Sequence, residues 1–207
     1  MGHVAVARSA SPPEPKNPLT DVFRFRHQVF YERLGWEVGS RQGMEYDRFD
    51  ELDPVHMFSR NTNGRIEACW RLLPTTGPYM LEAVFPQLLR GETAPKEPSI
   101  WEISRFAVVP EENSGREQAS ICSLTFDMLR AGVDFALENG ITHYVFVTSV
   151  AVERLLKRAG LAIHRFGDGK AQQVGKVLSV ACWIDIDAAT CRAVYRSAKS
   201  AASVEAA

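Results

Sequence analysis

Two apolar runs, WEISRFAVV (residues 101–109) and THYVFVTS (142–149), enclose a segment whose apolar positions follow a helix, and this stretch decides the fold class. The first run reads as a strand ended by Pro110. From about Arg116 to Glu138, Leu124, Met128, Leu129, Phe135 and Ala136 share one helical face. Asp127, Arg130, Asp134 and Glu138 take the other, and Asn139-Gly140 ends the helix. THYVFVTS is continuously apolar, as in a strand covered on both faces. Downstream, VAVERLLKRAG is a helix ended by Gly160, LAIHRF and KVLSVACWIDI are strands, and Asp187 caps an Ala-rich last helix. Upstream, VHMFSR and RIEACWRLL flank Asn61-Thr62-Asn63-Gly64 as a hairpin. A short helix around Glu82 to Leu89 is bent or divided by Pro86. Val22, Phe23, Phe25, Val29, Phe30 and Leu34 mark a helix from about Leu19 to Leu34 that Gly35 terminates. Residues 1–18, with SPPEPKNP, read as a loose tail in which HVAVA can supply an edge strand. Alternating strands and helices predict one α/β domain over residues 19–207, a mixed sheet with helices on both faces.

A chain of 207 residues is long enough for a substantial core. Its 24 Lys and Arg balance 25 Asp and Glu, so nothing points to general nucleic-acid binding. Cys69, Cys122, Cys182 and Cys191 are scattered without CxxC or metal spacing and read as small thiols, three of them inside apolar runs. No apolar run approaches the ~18 residues of a membrane span, and the N-terminus does not read as a signal peptide. The expectation is a cytoplasmic, reduced protein with no membrane partner.

Several charges stand where apolar residues belong. Arg26 lies between Val22 and Val29 on the apolar side of its helix. EYDRFDELDP carries Glu45, Asp47, Asp50 and Asp53, Arg71 ends ACWRLLP, and Glu102 and Arg105 interrupt WEISRFAVV. Leaving a buried charge without its partner costs about 3–5 kcal/mol, so such charges must pair with each other or face a ligand. A cleft holding both signs suits a zwitterionic, cationic substrate. The acidic loop lacks the glycine a calcium loop needs, so no metal is expected, and a solvated acidic turn has the same spacing. Strand alternation places Glu102, Ser104 and Phe106 on one face and Arg105 on the other, unless a bulge re-aims one of them. Two structural charges fit equally well. Trp36 fits a core plug and Trp70 fits either core or the wall of a lipid pocket. Arg154, Lys157 and Arg158 fit a solvated helix face or a dock for an acidic protein. GxSxG, GxxxxGK[ST], HExxH and a strand followed by GxGxxG are all missing, which removes weight from hydrolase, P-loop and zincin chemistry. Gly115 alone is a poor pyrophosphate loop after the WEISRFAVVP strand.

Taken together, RFRHQVFYERLGWEV, MEYDRFDELDP, CWRLLPTTGPYML, FPQLLRG and IWEISRFAVV resemble the acyl-homoserine-lactone synthases, which make bacterial quorum-sensing autoinducers. The similarity runs from about residue 19 to 187 in order and spacing. The family pattern is met by Arg26, Phe30, Trp36, Asp47, Asp50, Arg71, Phe85, Glu102 and Arg105. The resemblance implies a GNAT-like fold with a V-shaped cleft between central strands. It implies two substrates, S-adenosylmethionine and an acyl thioester on acyl carrier protein or, in some relatives, acyl-CoA; S-adenosylmethionine is then a substrate and no cofactor is expected. Glu102 would be the base, with Asp47 and Asp50 holding the cationic end and Arg26, Arg71 and Arg105 ordering those carboxylates or pairing with the substrate carboxylate. Phe30 and Trp36 would line the adenosyl pocket, with Phe85 and Ser104 also on the substrate side. Trp70, Met80 and Phe106 would line the acyl tunnel. Thr148 is the position whose threonine is associated with a 3-oxo acyl group, on a medium-to-long chain. Two other functions fit less of the pattern: a generic GNAT N-acyltransferase using acyl-CoA, and a non-catalytic module that binds a nucleotide or carrier protein.

Overall fold

The computed structural model describes residues 4–8, 19–109 and 117–205, with side chains from 117–122 and 197–205 left aside. Gly115, singled out above, lies outside the described residues, as does the side chain of Cys122. The elements are β1 (Val4–Arg8), α1 (Thr20–Arg26) continued by a π-helical segment (His27–Arg33), β2 (Ser40–Arg41), β3 (Met44–Glu45), a 3-10 turn (Arg48–Glu51), β4 (Val55–Arg60), β5 (Ile66–Pro74), α2 (Met80–Ala83), a second 3-10 turn (Pro86–Leu89), β6 (Ile100–Val108), α3 (Glu117–Glu138), β7 (His143–Ser149), α4 (Val150–Arg158), β8 (Ile163–Arg165), β9 (Gln172–Val174), β10 (Val177–Asp185) and α5 (Ala188–Glu205). Pro86 divides the short helix as expected, because it cannot donate to the preceding turn.

The chain forms two compact units, residues 1–72 with 105–128, and residues 73–104 with 129–207. In the first, β1, β4 and β5 pair antiparallel. The VAVA of the HVAVA segment thus lies in the edge strand its sequence allowed. The C-terminal half of β6 lies beside β5, where Val109 N–H donates to Glu67 O at 2.8 Å. The helix from Thr20 buries Leu19, Val22, Phe23, Phe25, Val29 and Phe30 against Phe58, Cys69 and Ala107. Its last turns widen to i→i+5 bonding, with Leu34 N–H donating to Val29 O. In the second unit, β6 and β7 pair in parallel from Ile100↔His143 to Ile103↔Phe146. Antiparallel β10 follows, carrying β8 and β9. Strand β9 has no apolar signature in its QQV sequence, and only its pairing with β10 makes it a strand. Thr190 N–H donates to Asp187 Oδ1 at 2.8 Å, the expected cap of α5.

Candidate active site

In the first unit the misplaced charges close on themselves. Arg26 donates to Glu45 (2.5 Å) and, through both Nη atoms, to Asp50 (2.7 and 2.9 Å). Arg71 bridges Asp50 (2.8 Å) and Asp47 (2.6 Å), and Arg105 bridges Asp47 (2.8 Å) and Glu45 (2.9 Å). The result is an alternating ring of three guanidiniums and three carboxylates, each ion touching two of opposite sign. Local structure explains the placement. Arg26 sits on the buried stripe of α1, and Glu45 is fully buried at the end of the β2–β3 hairpin, next to buried Met44. Asp47 and Asp50 form a reciprocal cap, with Phe49 N–H donating to Asp47 and Asp47 N–H to Asp50, both at 2.9 Å.

Burial works against the charges of Arg26, Glu45, Asp50 and Arg71, and their neighbours outweigh it. Burial alone would raise Asp50, but Arg26 and Arg71 hold it far below the usual carboxylate range. Glu45 is likewise opposed by burial and held down by Arg26 and Arg105. Arg26, which burial would lower, is raised well above its ordinary value by Asp50 and Glu45. His56, beside the ring with Nε2 3.8 Å from Asp50, is pushed down to about 3 by burial and then by Arg26.

The members of the ring differ in exposure. Arg26, Asp50 and Arg71 are at most 1% exposed, so they brace the site and present no face to a substrate. Asp47, with 18% of its side chain exposed, and Arg105, with 8%, form the accessible edge. Glu45, absent from the expected set, is as central as the two aspartates. Glu45 belongs to the same acidic stretch as Asp47 and Asp50, and charge alone does not distinguish it there from Glu51 and Asp53. Arg105 has φ of 55, a left-handed value inside β6 that breaks strand alternation there and is held by its bonds to Glu45 and Asp47. Its guanidinium lies over Phe30, 5.6 Å from the ring centre. Phe30 in turn stacks on Trp36 at 5.1 Å. Trp36 is 40% exposed, which rules out the core plug. Trp70 is buried against Phe106 at 5.5 Å.

In the second unit, Glu102 is 1% exposed and accepts the N–H groups of Met80 (2.9 Å) and Leu81 (2.6 Å), the first turn of α2. It therefore anchors that helix start, a contact invisible in WEISRF. Phe85 and Ser104 are half-buried and Met80 is buried. Thr148, expected in buried surroundings, is half-buried near the end of β7, opposite Val180. On α4, Arg154 and Arg158 are exposed, one turn apart, with exposed Leu155 between them. Lys157 is exposed as well, and it also pairs with buried Glu153 at 2.8 Å, which takes the fork of Arg165 at 2.9 and 2.5 Å. These bonds, Arg165 first, pull Glu153 down to about 2.

The mixed sheet is that of the N-acyltransferases. An N-acetyltransferase from Lactobacillus plantarum shares the fold alone, with a TM-score of 0.53 and 13% identity over 89% of this chain and 99% of that one. Closer likenesses narrow the class. The family model for autoinducer synthases matches residues 14–194. An acyl-homoserine-lactone synthase of Aliivibrio fischeri is 40% identical over 166 residues, 80% of this chain and 85% of the relative. The crystal structure of the synthase LasI has a TM-score of 0.84 and 38% identity over 95% of each chain. BjaI, a CoA-dependent acyl-homoserine-lactone synthase solved with S-adenosylmethionine and isopentyl-CoA, has a TM-score of 0.80 and 26% identity over 96% of this chain and 90% of its own. This chain belongs to the autoinducer synthase family, acyltransferases that make acyl-homoserine lactones.

Proposed function

We propose that this synthase acylates the α-amine of S-adenosylmethionine with an acyl group delivered by acyl carrier protein, then closes the lactone. The observation that carries the reading is the edge of the charge ring. Asp47 and Arg105 offer opposite charges beside the Phe30–Trp36 stack. That combination suits a substrate with an amine, a carboxylate, a sulfonium and a purine. The solved complex of BjaI with S-adenosylmethionine supports the same substrate.

In the first step the amine nitrogen attacks the thioester carbonyl, the C–S bond breaks and the carrier sulfur leaves as a thiolate. Glu102 is assigned the role of the base that takes up the proton the amine gives up and returns one to the departing thiolate. In the second step a carboxylate oxygen attacks the γ-carbon, and the sulfonium leaves as neutral methylthioadenosine. That ring closure needs a folded substrate more than a catalytic group. Buried Arg26, Asp50, Arg71 and Glu45 keep Asp47 and Arg105 at fixed positions, the kind of pre-set charge that is worth most in a dry site. Trp70, Met80, Phe85, Ser104 and Phe106 are assigned to the acyl side, and Thr148 to a 3-oxo group. Exposed Arg154 and Arg158 favour an acidic carrier protein as donor.

Incubation with S-adenosylmethionine and matched panels of acyl carrier protein and acyl-CoA donors tests all of this. The expected products are methylthioadenosine and a medium-to-long acyl-homoserine lactone, with the carrier-protein donor preferred. Efficient turnover of acyl-CoA alone would transfer the donor assignment to CoA, as in BjaI. Acylated amine without methylthioadenosine would identify an ordinary N-acyltransferase.

A further inference from the structure

Trp36 is carried by a linker with few buried contacts. Every residue from Tyr31 to Glu37 is exposed, and glycines stand on both sides of the tryptophan, Gly35 with φ of 61 and Gly39. The anchors are the stack on Phe30, the bond from Trp36 N–H to Phe30 O (2.9 Å), half-buried Val38 against the core, and a long bond from Tyr46 N–H to Gly39 O (3.3 Å). Segments held this lightly lie at the low end of local stability.

At the far end of the linker Ser40 pairs with Glu45 in the β2–β3 hairpin, and its side chain is caught in addition by the π-helical segment. Ser40 Oγ lies 2.6 Å from His27 Nδ1. On the other side of the imidazole, Nε2 lies 3.2 Å from Glu32. Tyr31 stacks on the ring at 5.0 Å and 16°. The tautomer with its proton on Nε2 satisfies both contacts: Nε2–H donates to Glu32, and Nδ1 accepts the Ser40 hydroxyl. His27 and Phe30 are three residues apart on the same helical segment, so one element grips the linker at Trp36 and again at Ser40.

We propose that the His27–Ser40 contact is a latch that positions Trp36 for S-adenosylmethionine. This rests on the assignment of the Phe30–Trp36 stack to that substrate. His27 and Ser40 are positioning residues and touch no reacting atom. With the latch open, binding must also order the linker, so affinity falls while the chemical step is unchanged. The loss of one ordinary hydrogen bond corresponds to about three- to tenfold.

Ser40→Ala should raise KM for S-adenosylmethionine about three- to tenfold, leaving kcat and the acyl-donor KM as they are. Ser40→Thr, which keeps the hydroxyl, should stay near the parent. His27→Ala should match Ser40→Ala, and the double variant should be no worse than either alone. Trypsin reads the latch without substrate, because exposed Arg33 and Arg41 flank the linker. Cleavage there should quicken in Ser40→Ala and not in Ser40→Thr. Unchanged cleavage overturns the latch. Faster cleavage with an unchanged KM overturns its link to the substrate. A parent enzyme that does not use S-adenosylmethionine overturns the underlying reading, and the positioning role with it, even if the trypsin result holds.

Discussion

Asp50 touches two buried guanidiniums, and removing its charge would leave the ring with three positive and two negative members. Asp50→Asn should therefore lower stability by about 3–5 kcal/mol, seen as a shift of the denaturant midpoint with an unchanged slope. A shift below about 1 kcal/mol would mean that the ring is solvated and not a closed network. Glu102 poses a different question, because its contacts with Met80 and Leu81 give it structural work beside the proposed chemistry. Glu102→Gln keeps the shape but turns one acceptor into a donor facing a backbone N–H, a cost of about 1–3 kcal/mol. If it is also the base, turnover of the folded fraction should fall on the order of 10²–10⁴-fold. A destabilised variant with parental turnover per folded molecule would confine Glu102 to bracing α2. At this scale sequence was informative about which charges are out of place, since polarity conflicts with periodicity at Arg26, Arg71 and Glu102. It was silent about who pairs with whom. Pairing depends on contacts between residues up to 60 positions apart, such as Arg105 with Glu45.

Among the elements, periodicity located the long helices and the strands, and it failed where a contact overrides local preference. The widening of α1 into a π segment carries no mark in HQVFYER, yet it sets where Phe30 and His27 lie. Asp127 was placed on the polar face of α3 and is buried there. Helix α4 shows the same limit: its basic residues look equivalent in VERLLKR and all three are exposed, but Lys157 also pairs with buried Glu153. Reversing Arg154 and Arg158 to Glu should thus weaken use of acyl carrier protein, with S-adenosylmethionine affinity little changed, and the parent reaction should be strongly salt-sensitive. Equal damage to both substrates would point to a lost fold. On β7, Thr148→Val removes a hydroxyl at constant shape. Its expected effect is a selective fall in kcat/KM for 3-oxo donors over unsubstituted ones. An equal fall for both would show that Thr148 does not read the ketone.

For the molecule as a whole, a net charge of −1 conceals a strong dependence of stability on acid. An unfolded chain protonates His56 near 6.5, whereas in the fold burial and Arg26 delay this to about 3. Between those values the unfolded state holds the extra proton. The stability linked to His56 is therefore fully present above pH 6.5 and drains away as pH falls toward 3, at up to about 1.4 kcal/mol per pH unit. Glu45 and Asp50 act in the same direction but lower on the scale. Both stay ionised in the fold, and their unfolded counterparts take up protons only near pH 4. Two phases should follow in the melting temperature, a gentle decline beginning near pH 6.5 and a steeper one below about pH 4.5. His56→Gln should flatten the first and leave the second. Asp50→Asn, already less stable at neutral pH, should flatten the second and leave the first. A parent whose melting temperature is constant from pH 7 to 5 would show that His56 is solvated and titrates normally, and the acid sensitivity would then belong to the carboxylates of the ring alone.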